Sequence, residues 1–390
     1  MPRLLLFGVL VLVAQVSTPQ CDSSNSSGTT NNTVALVVNG GPVNNGFNEG
    51  FVSVTVCVPG TSTCQTIDGI VVDTGSEGLR IASSALRVGL PQQSNATGAV
   101  VECLPFLDSV TWGPVMTADV KMAGEVASNI PIQVIGTDKF ASVPDSCSSQ
   151  GGLEENTNDL GANGILGIGL GNHDCGTDCA ALGPSNPGLY YACPASGACQ
   201  ITAQPVANQV VNPVTQFATD NNGVMLQLPA VAATGQTSVT GVLVFGIGTQ
   251  SNNALGSAHV YTTDASGNIR TTFSNQSYTA FIDSGSNGIF FLDSATTGLP
   301  ACQQSTGFYC PLTTRNFSAT LIGNNGASAA MSFSAANVDA ANATFAAMGA
   351  ATGSNPGGFD WGLPFFYGRA VFVAVAGRST PGGLGPYWAF

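Results

Sequence analysis

Residues 70–79 read IVVDTGSEGL and residues 280–289 read AFIDSGSNGI, and this internal near-repeat is the most informative feature of the sequence. Each copy is an apolar run followed by Asp, a small hydroxyl residue, Gly, Ser, any residue and a second Gly. One Asp-Thr-Gly or Asp-Ser-Gly triplet alone is weak evidence, because Asp and Gly are common in the turn after a strand. Two extended copies, half a chain apart, predict two similar lobes and not a solenoid.

The composition of the chain is that of a β protein. The chain has 390 residues, of which 44% are hydrophobic, and this is enough to bury two cores of ordinary size. Charged residues make up only 8%, whereas 49 residues are Gly, so turns are frequent. Short apolar runs broken by Gly, Pro and Asn are typical of strands. They occupy residues 34–38, 51–58, 67–72, 130–135, 242–247 and 370–375.

Helical patterns are few. Short helices are predicted around residues 83–88 and 212–219, and a weaker, alanine-rich pattern covers residues 335–351. The sequence therefore predicts an all-β fold with a few short helices. We expect an N-terminal lobe at residues 35–220 and a C-terminal lobe at residues 221–390.

The N-terminus has the features of an export signal. Arg3 is followed by an apolar run at residues 4–14, which is too short to span a bilayer. We therefore predict a signal peptide at residues 1–20, a flexible Ser-, Asn- and Thr-rich tether at residues 21–34, and no transmembrane segment. The predicted location is extracellular. A bacterial lipoprotein, exported and membrane-tethered through a lipid on Cys21, is the alternative that stays open.

The eleven cysteines support export to an oxidising compartment. Setting Cys21 aside leaves ten, an even number. The expected disulfide pairs are Cys57 with Cys64, Cys103 with Cys147, Cys175 with Cys179, Cys193 with Cys199, and Cys302 with Cys310. Spacing alone does not fix these pairs. The competing interpretation is a metal site made of His173, Asp174, Cys175 and Cys179. Loop-closing disulfides are favoured in an exported chain, so no metal is expected.

The charge balance excludes one class of partner. Nine Lys and Arg against 22 Asp and Glu give a net charge of −13. Cations this few, scattered along the chain, do not neutralise a run of phosphates, so nucleic acid is excluded as a partner. No Walker loop or dinucleotide fingerprint occurs between a strand and a helix, and no cofactor is expected.

The paired Asp-Thr-Gly-Ser and Asp-Ser-Gly-Ser turns resemble those of the pepsin-like aspartic peptidases. Three further segments are similar to segments of that family and occur in the same order. They are residues 163–169 (NGILGIG), 242–248 (VLVFGIG) and 361–366 (WGLPFF). The resemblance covers residues 35–390 and implies a divergent, secreted member with a bilobal pepsin-like fold. Two pseudo-symmetric, six-stranded-barrel-like lobes would then enclose a cleft for a peptide or protein substrate. We expect a monomer.

In this family two Asp carboxylates activate a water molecule. The resemblance therefore implies that Asp73 and Asp283 are the catalytic pair of an aspartic endopeptidase. The chemistry of the residues agrees, because two carboxyl groups a few ångströms apart do not both ionise. One carboxylate then removes a proton from the attacking water while the other carboxyl group protonates the carbonyl oxygen of the scissile bond. No assignment of acid and base follows, since such a pair titrates jointly.

The residues that follow each Asp are expected to support it. These supporting residues are Thr74, Gly75, Ser76, Ser284, Gly285 and Ser286. The glycines permit tight turns whose N–H groups approach the carboxylates. The serines can donate to the outer carboxylate oxygens. In the family, the hydroxyl residue after each Asp bonds the opposite lobe, which implies that Thr74 and Ser284 hold the two lobes together.

Some features depart from the family's pattern. The family covers its cleft with a β-hairpin flap that carries a Tyr, whereas residues 100–121 contain none. Phe106 or Trp112 is the possible substitute, and ordinary packing is the other interpretation of each. Glu77 beside the first turn, and Asp360 where apolar residues are usual, are also unusual. These differences leave specificity and the level of activity open.

Other classes of function fit less well. The sequence has no Gly-x-Ser-x-Gly elbow, and only His173 and His259 are available for a triad. A glycosidase also uses two carboxylates, but these turns give no reason for the wider separations that its chemistry requires. The alternative that stays open is a catalytically weak or inactive pepsin-like cleft that serves as a peptide-, protein- or glycan-binding module. Because both Asp residues and their supporting hydroxyls are present, the sequence favours an endopeptidase active at acidic pH.

Overall fold

The computed structural model describes residues 32–342 and 344–390. The predicted signal peptide, Cys21 and most of the predicted tether lie outside the described residues. Thr33 and Val34, the last two described residues assigned to the tether, belong to the first strand, because they pair with Val244 and Leu243. This corrects the predicted end of the tether by two residues.

The described residues are mostly β, as the sequence predicted. The strands of the first half are β1 (Thr33–Val38), β2 (Gly50–Cys57), β3 (Cys64–Asp73), β4 (Glu77–Ala82), β5 (Ala99–Pro105), β6 (Ser109–Met122), β7 (Glu125–Ile135), β8 (Gly152–Glu154), β9 (Gly164–Ile168), β10 (Tyr190–Cys193) and β11 (Gln200–Ile201). Those of the second half are β12 (Gly223–Leu228), β13 (Val239–Phe245), β14 (Val260–Thr262), β15 (Ile269–Phe273), β16 (Gln276–Ile282), β17 (Ile289–Leu292), β18 (Arg315–Ile322), β19 (Ser328–Ala335), β20 (Thr352–Gly353), β21 (Asn355–Trp361), β22 (Arg369–Ala374), β23 (Ser379–Thr380), β24 (Gly383–Leu384) and β25 (Tyr387–Ala389).

The helices within the described residues are short. They are α1 (Asp145–Ser148), α2 (Thr157–Leu160), α3 (Ser294–Thr297) and α4 (Val338–Asn342), with 3₁₀ turns at Asp138–Phe140, Gly176–Cys179, Val206–Asn208, Pro213–Gln216, Ser251–Asn253 and Leu363–Phe366. The helix predicted at 83–88 was wrong, because that segment forms turns. The pattern at 212–219 is a single 3₁₀ turn capped by the Asn212 side chain. The pattern at 335–351 contains only α4.

The sheets build two parts that match the two copies of the repeat. In the first half, β2, β3, β9, β4, β7 and β6 pair in that order and β6 pairs again with β2, so six strands close into a barrel. A seven-stranded sheet in the second half has the order β19-β18-β15-β16-β21-β17-β20. Between them, β1 of the first half pairs with β13 of the second. The predicted boundary at 220 and 221 precedes β12 and stays a prediction, because residues Asn31–Phe390 form one compact unit.

The same strand crossing occurs in both halves. Strand β3 runs parallel to β9, which runs antiparallel to β4. Likewise, β16 runs parallel to β21, which runs antiparallel to β17. Strands paired on both edges and covered on both faces need continuous apolar sequence, which explains the runs before each Asp. Each crossing therefore places one Asp at the carboxyl end of a central, buried strand.

Aromatic packing fixes the crossing in the second half. Phe291 on β17 lies with its ring centroid 5.0 Å from that of Phe333 and 5.4 Å from that of Phe359. Trp361 stacks on Phe359 at 5.6 Å and donates from Nε1 to the Thr271 hydroxyl at 2.9 Å. Such aromatic pairs contribute about 0.5–1.5 kcal/mol each beyond the area they bury. Strand β21 is thereby held firmly beside the second Asp turn.

Five disulfides join the ten described cysteines. The pairs are Cys57–Cys64, Cys103–Cys147, Cys175–Cys179, Cys193–Cys199 and Cys302–Cys310, which are the expected ones. Four close short loops, and Cys103–Cys147 joins residues separated by 44 positions. Disulfides in this number are typical of proteins folded in an oxidising compartment. Within the described part of the chain, no helix has the length and apolar character needed to cross a bilayer.

Candidate active site

The two predicted carboxylates lie together. Asp73 ends β3, Asp283 follows β16, and both side chains are buried, with 5% and 9% of their surface exposed. A methyl group on Gly285 would lie 2.8 Å from Oδ1 of Asp73 and 3.2 Å from Oδ1 of Asp283. The two carboxyl groups are within hydrogen-bonding reach of each other. The fold thus brings side chains 210 positions apart in the sequence to one small volume.

Each carboxylate accepts the same two hydrogen bonds from its own turn. The Gly75 amide donates to Oδ1 of Asp73 at 2.7 Å, and the Ser76 hydroxyl donates to Oδ2. In the second turn, the Gly285 amide donates to Oδ1 of Asp283 at 2.8 Å, and a serine hydroxyl donates to Oδ2 at 2.9 Å. That serine is Ser286. These bonds orient both carboxyl groups in the way that the sequence suggested.

The glycines of the two turns are required by space. A methyl group on Gly75 would lie 2.7 Å from Cγ of Asp283. The corresponding methyl group on Gly285 would lie 2.8 Å from Oδ1 of Asp73. Each turn therefore approaches the opposite carboxyl group so closely that only glycine fits.

The hydroxyl residues after the two Asp residues bond across the site. The amide of Thr74 donates to Oγ of Ser284 at 3.2 Å, and the amide of Ser284 donates to Oγ1 of Thr74 at 2.9 Å. The Ser284 hydroxyl donates further to the Val72 carbonyl at 2.7 Å. The Thr74 hydroxyl points in the same way to the Ile282 carbonyl at 3.5 Å. This buried, reciprocal network joins the two turns to each other.

The electrostatics of the pair favour one shared proton. Burial raises the pKa of the Asp283 carboxyl well above its usual range, and the charges of Asp73 and Asp360 raise it further. Two carboxylates this close in a poorly solvated site would repel strongly if both were ionised. The geometry therefore fits a pair of carboxyl groups that shares one proton.

Two further acids stand beside the pair. Burial raises the pKa of Glu77 to about 7, although the Gly171 amide donates to its Oε1 at 2.7 Å. Burial likewise raises the pKa of Asp360 to about 7, and its side chain is only 1% exposed. The sequence marked both residues as unusual, but it gave no indication that either would be buried next to Asp73 and Asp283.

Sequence reasoning missed Arg80. Its side chain is fully buried on β4, where Nη1 donates to the Glu77 carbonyl at 2.7 Å. Its Nη2 lies 2.9 Å from a carboxylate oxygen of Glu102 and 3.5 Å from one of Asp174. The Tyr190 hydroxyl donates to the same Asp174 carboxylate at 2.8 Å. The available signal was a lone Arg within an apolar strand, since a buried cation needs acidic partners.

The flap prediction is only partly answered. Trp112 is 3% exposed, donates from Nε1 to the Phe140 carbonyl at 2.7 Å, and packs edge-on against Tyr191. Its side chain is part of the core, which corrects the suggestion that it covers a cleft. Phe106 lies at the turn between β5 and β6, half-buried, beside Leu107, which is 76% exposed. A role for Phe106 over the cleft stays a prediction.

Three of the four residues of the competing metal site make other bonds. Cys175 and Cys179 are joined in a disulfide, and Asp174 is bonded by Tyr190. Among the described residues, one group of acids and cysteines has the spacing to hold a metal ion. It consists of Cys302, Cys310 and Asp339, and its two cysteines are disulfide-bonded.

Comparison with solved structures identifies the fold. The chain is similar to the aspartic proteinase from Irpex lacteus, with a TM-score of 0.52 and 16% sequence identity, over 92% of this chain and 96% of that one. At this identity the likeness shows the fold alone, and the fold is the bilobal, pepsin-like one. A search of curated proteins found no match. The sequence profile of one family matches residues 28–390, and the chain therefore belongs to the family described as protein of unknown function, DUF3443.

Proposed function

We propose that this protein is a secreted aspartic endopeptidase, with Asp73 and Asp283 as its catalytic pair. The observation that carries the proposal is the pair of buried carboxyl groups within hydrogen-bonding reach, each oriented by the same amide and serine hydroxyl. The likeness of the fold to an aspartic proteinase supports it. Five disulfides support export from the cell.

In the proposed mechanism, a water molecule lies between the two carboxyl groups. The ionised carboxyl removes a proton from this water as its oxygen attacks the carbonyl carbon of a peptide bond. The neutral carboxyl gives its proton to the carbonyl oxygen, which yields a neutral tetrahedral diol. Collapse of the diol breaks the C–N bond: one carboxyl group protonates the leaving amine while the other carboxylate takes the proton of a diol hydroxyl, which yields the new carboxyl terminus. The pair begins and ends with one proton, so no cofactor or metal is needed in the balance.

The supporting contacts give each step a physical basis. The network of Thr74 and Ser284 keeps the two carboxyl groups at a fixed separation, which removes the cost of bringing them together during the reaction. The amides of Gly75 and Gly285 stabilise whichever carboxyl is ionised. Loss of the shared proton at high pH would leave no acid to protonate the carbonyl oxygen. Activity is therefore expected at acidic pH, on a peptide or protein bound between the two lobes by a monomer.

The test is cleavage of a denatured protein at pH 3 to 5, with and without pepstatin. Wild-type protein is expected to cleave the substrate in a pepstatin-sensitive manner. The variants Asp73→Asn and Asp283→Asn are expected to lose turnover by several orders of magnitude while their unfolding transitions persist. An active Asp283→Asn variant would refute the proposal. A folded wild-type protein that cleaves at no pH, yet still binds peptides, would favour a binding module on the same cleft.

A further inference from the structure

The two halves differ at one buried position beside the catalytic pair. In the first half, Asp73 on β3 pairs with Gly167 on β9, and the residue two positions before that glycine is Ile165. In the second half, β16 and β21 pair in the same parallel way, with Ile282 opposite Trp361. The residue two positions before Gly362 is Asp360. An acid thus stands in the second half where the first half has an aliphatic side chain.

The surroundings of Asp360 offer its carboxyl group little compensation. The side chain is 1% exposed, and neither carboxyl oxygen has a hydrogen-bond partner of good geometry among the described residues. The flanking strands β16 and β17 place Phe281 and Phe290 opposite it and contain no charged residue. The two ion pairs among the described residues both involve Arg80. A buried carboxylate without a cation or donor is costly, so a role other than stability is indicated.

The Ser286 side chain connects Asp360 to the proposed catalytic pair. The Ser286 hydroxyl lies close to the Asp360 carboxyl and donates its one proton to Oδ2 of Asp283 at 2.9 Å. The backbone is linked as well, because the Asp283 amide donates to the carbonyl of Trp361, the residue after Asp360, at 3.1 Å. Asp360, Ser286 and Asp283 therefore form a short chain of contacts behind the pair.

Neighbouring charges act on both Asp360 and Asp283. Burial has the largest effect on the pKa of Asp360 and raises it. The Ser286 hydroxyl lowers this pKa, and the charge of Asp73 raises it. The pKa of Asp283 is raised by burial and then by the charges of both Asp73 and Asp360. The charges of Asp73 and Asp360 thus both disfavour ionisation of Asp283. The remaining acid nearby, Glu77, accepts a hydrogen bond from the Gly171 amide, and the charge of Asp73 raises its pKa.

We propose that Asp360 is a positioning residue for the catalytic pair, whose carboxylate behind Ser286 keeps the shared proton on Asp283 and so extends activity toward neutral pH. An ionised Asp360 acts in two ways in the same direction. Its charge disfavours a second negative charge on Asp283. It also competes for the Ser286 proton, which otherwise stabilises ionised Asp283. Both effects hold the proton that the proposed mechanism needs.

The inference rests on the proposed function, and its test has one readout that does not. Asp360→Asn removes the charge at nearly constant volume, and Asp360→Ile copies Ile165 from the first half. Asp68→Asn is the matched control, because Asp68 is an exposed acid on β3 whose backbone carbonyl accepts the hydrogen bond from Asn163. The alkaline limb of kcat/KM against pH is expected to move to lower pH by about one unit or more in both Asp360 variants. It should not move in the control.

The second readout is the titration of protonated carboxyl groups by infrared spectroscopy of the intact, substrate-free protein. Asp360→Asn is expected to remove one carboxyl band and to lower the midpoint of the Asp283 band. If this midpoint stays where it is in wild-type protein, the inference is wrong, whatever the activity. If the midpoint falls but wild-type protein cleaves nothing, the proposed function fails and the coupling of Asp360 to Asp283 stands. Because the Asn variant keeps the volume, it serves if the Ile variant does not fold.

Discussion

Replacement of Arg80 by Met is expected to destabilise the fold strongly, and the size of the effect depends on pH. In the wild-type protein the guanidinium is fully buried between Glu102 and Asp174 and also donates to the Glu77 carbonyl. Methionine keeps most of the apolar volume but removes the only cation of this cluster. Removal of one partner from a buried ion pair costs about 3–5 kcal/mol, because the remaining charge is left without compensation.

The pH dependence follows from the two acids left behind. Burial already raises the pKa of Asp174 well above its usual range, and the charge of Glu102 raises it further. Because the charge of Arg80 lowers the pKa of Asp174, its removal raises the folded-state pKa of Asp174 further above the unfolded value. A group with a raised folded pKa stabilises the fold at low pH, and that contribution is lost as pH rises through the folded pKa. The loss of unfolding free energy in Arg80→Met is therefore expected to be larger at pH 7.5 than at pH 4.

Urea unfolding followed by tryptophan fluorescence at these two pH values measures the effect. Arg315→Met, at an exposed position on β18, is the control and is expected to stay within about 0.5 kcal/mol of wild type. Addition of Glu102→Gln to Arg80→Met should recover part of the lost stability at pH 7.5, because it removes one uncompensated charge. The expected loss of unfolding free energy in Arg80→Met at pH 7.5 is about 3–5 kcal/mol. A loss below about 1 kcal/mol would refute this reasoning.

Two further changes test the neighbouring contacts. Thr74→Val removes the hydroxyl oxygen that accepts a hydrogen bond from the Ser284 amide at 2.9 Å. The variant is expected to lose about 1–3 kcal/mol of unfolding free energy and to lower kcat more than it changes KM. Equal stability of this variant and of the exposed control Thr240→Val would contradict the prediction. Glu77→Gln removes an acid whose pKa is about 7 in the fold against an ordinary 4.5. Wild-type stability should fall as pH rises from 4.5 through 7, so the variant should gain up to about 3 kcal/mol relative to wild type between pH 4 and pH 8. Parallel stability curves in urea would exclude that effect.

The sequence was sufficient to predict the parts of the site that lie in one short motif. Asp73, Asp283 and the residues just after them are placed by local turns, and the structure brings these turns together as the repeat indicated. The strands were predictable for a similar reason, since continuous apolar runs mark strands buried on both faces. The disulfide pairs agree with the spacing because four of them close short loops.

The remaining features depend on contacts that no local pattern encodes. Arg80 meets Glu102 and Asp174 across 22 and 94 positions of sequence, and only the fold of the barrel brings them together. Trp112 was a candidate for the flap because the sequence does not show that it is buried. Its burial against Tyr191 depends on the pairing of β5 with β10. Asp360 was visible as an unusual residue, but its burial follows from the aromatic core around β21.

Cleavage of an unfolded protein at pH 4 in ¹⁸O-labelled water, with mass spectrometry of the products, tests the central claim most directly. If Asp73 and Asp283 activate a solvent molecule for direct attack, each new C-terminal carboxyl group should carry one oxygen from the labelled water. Asp73→Asn should give no new C-termini at all while it unfolds at a similar urea concentration. New C-termini formed by Asp73→Asn at the wild-type rate would contradict the account.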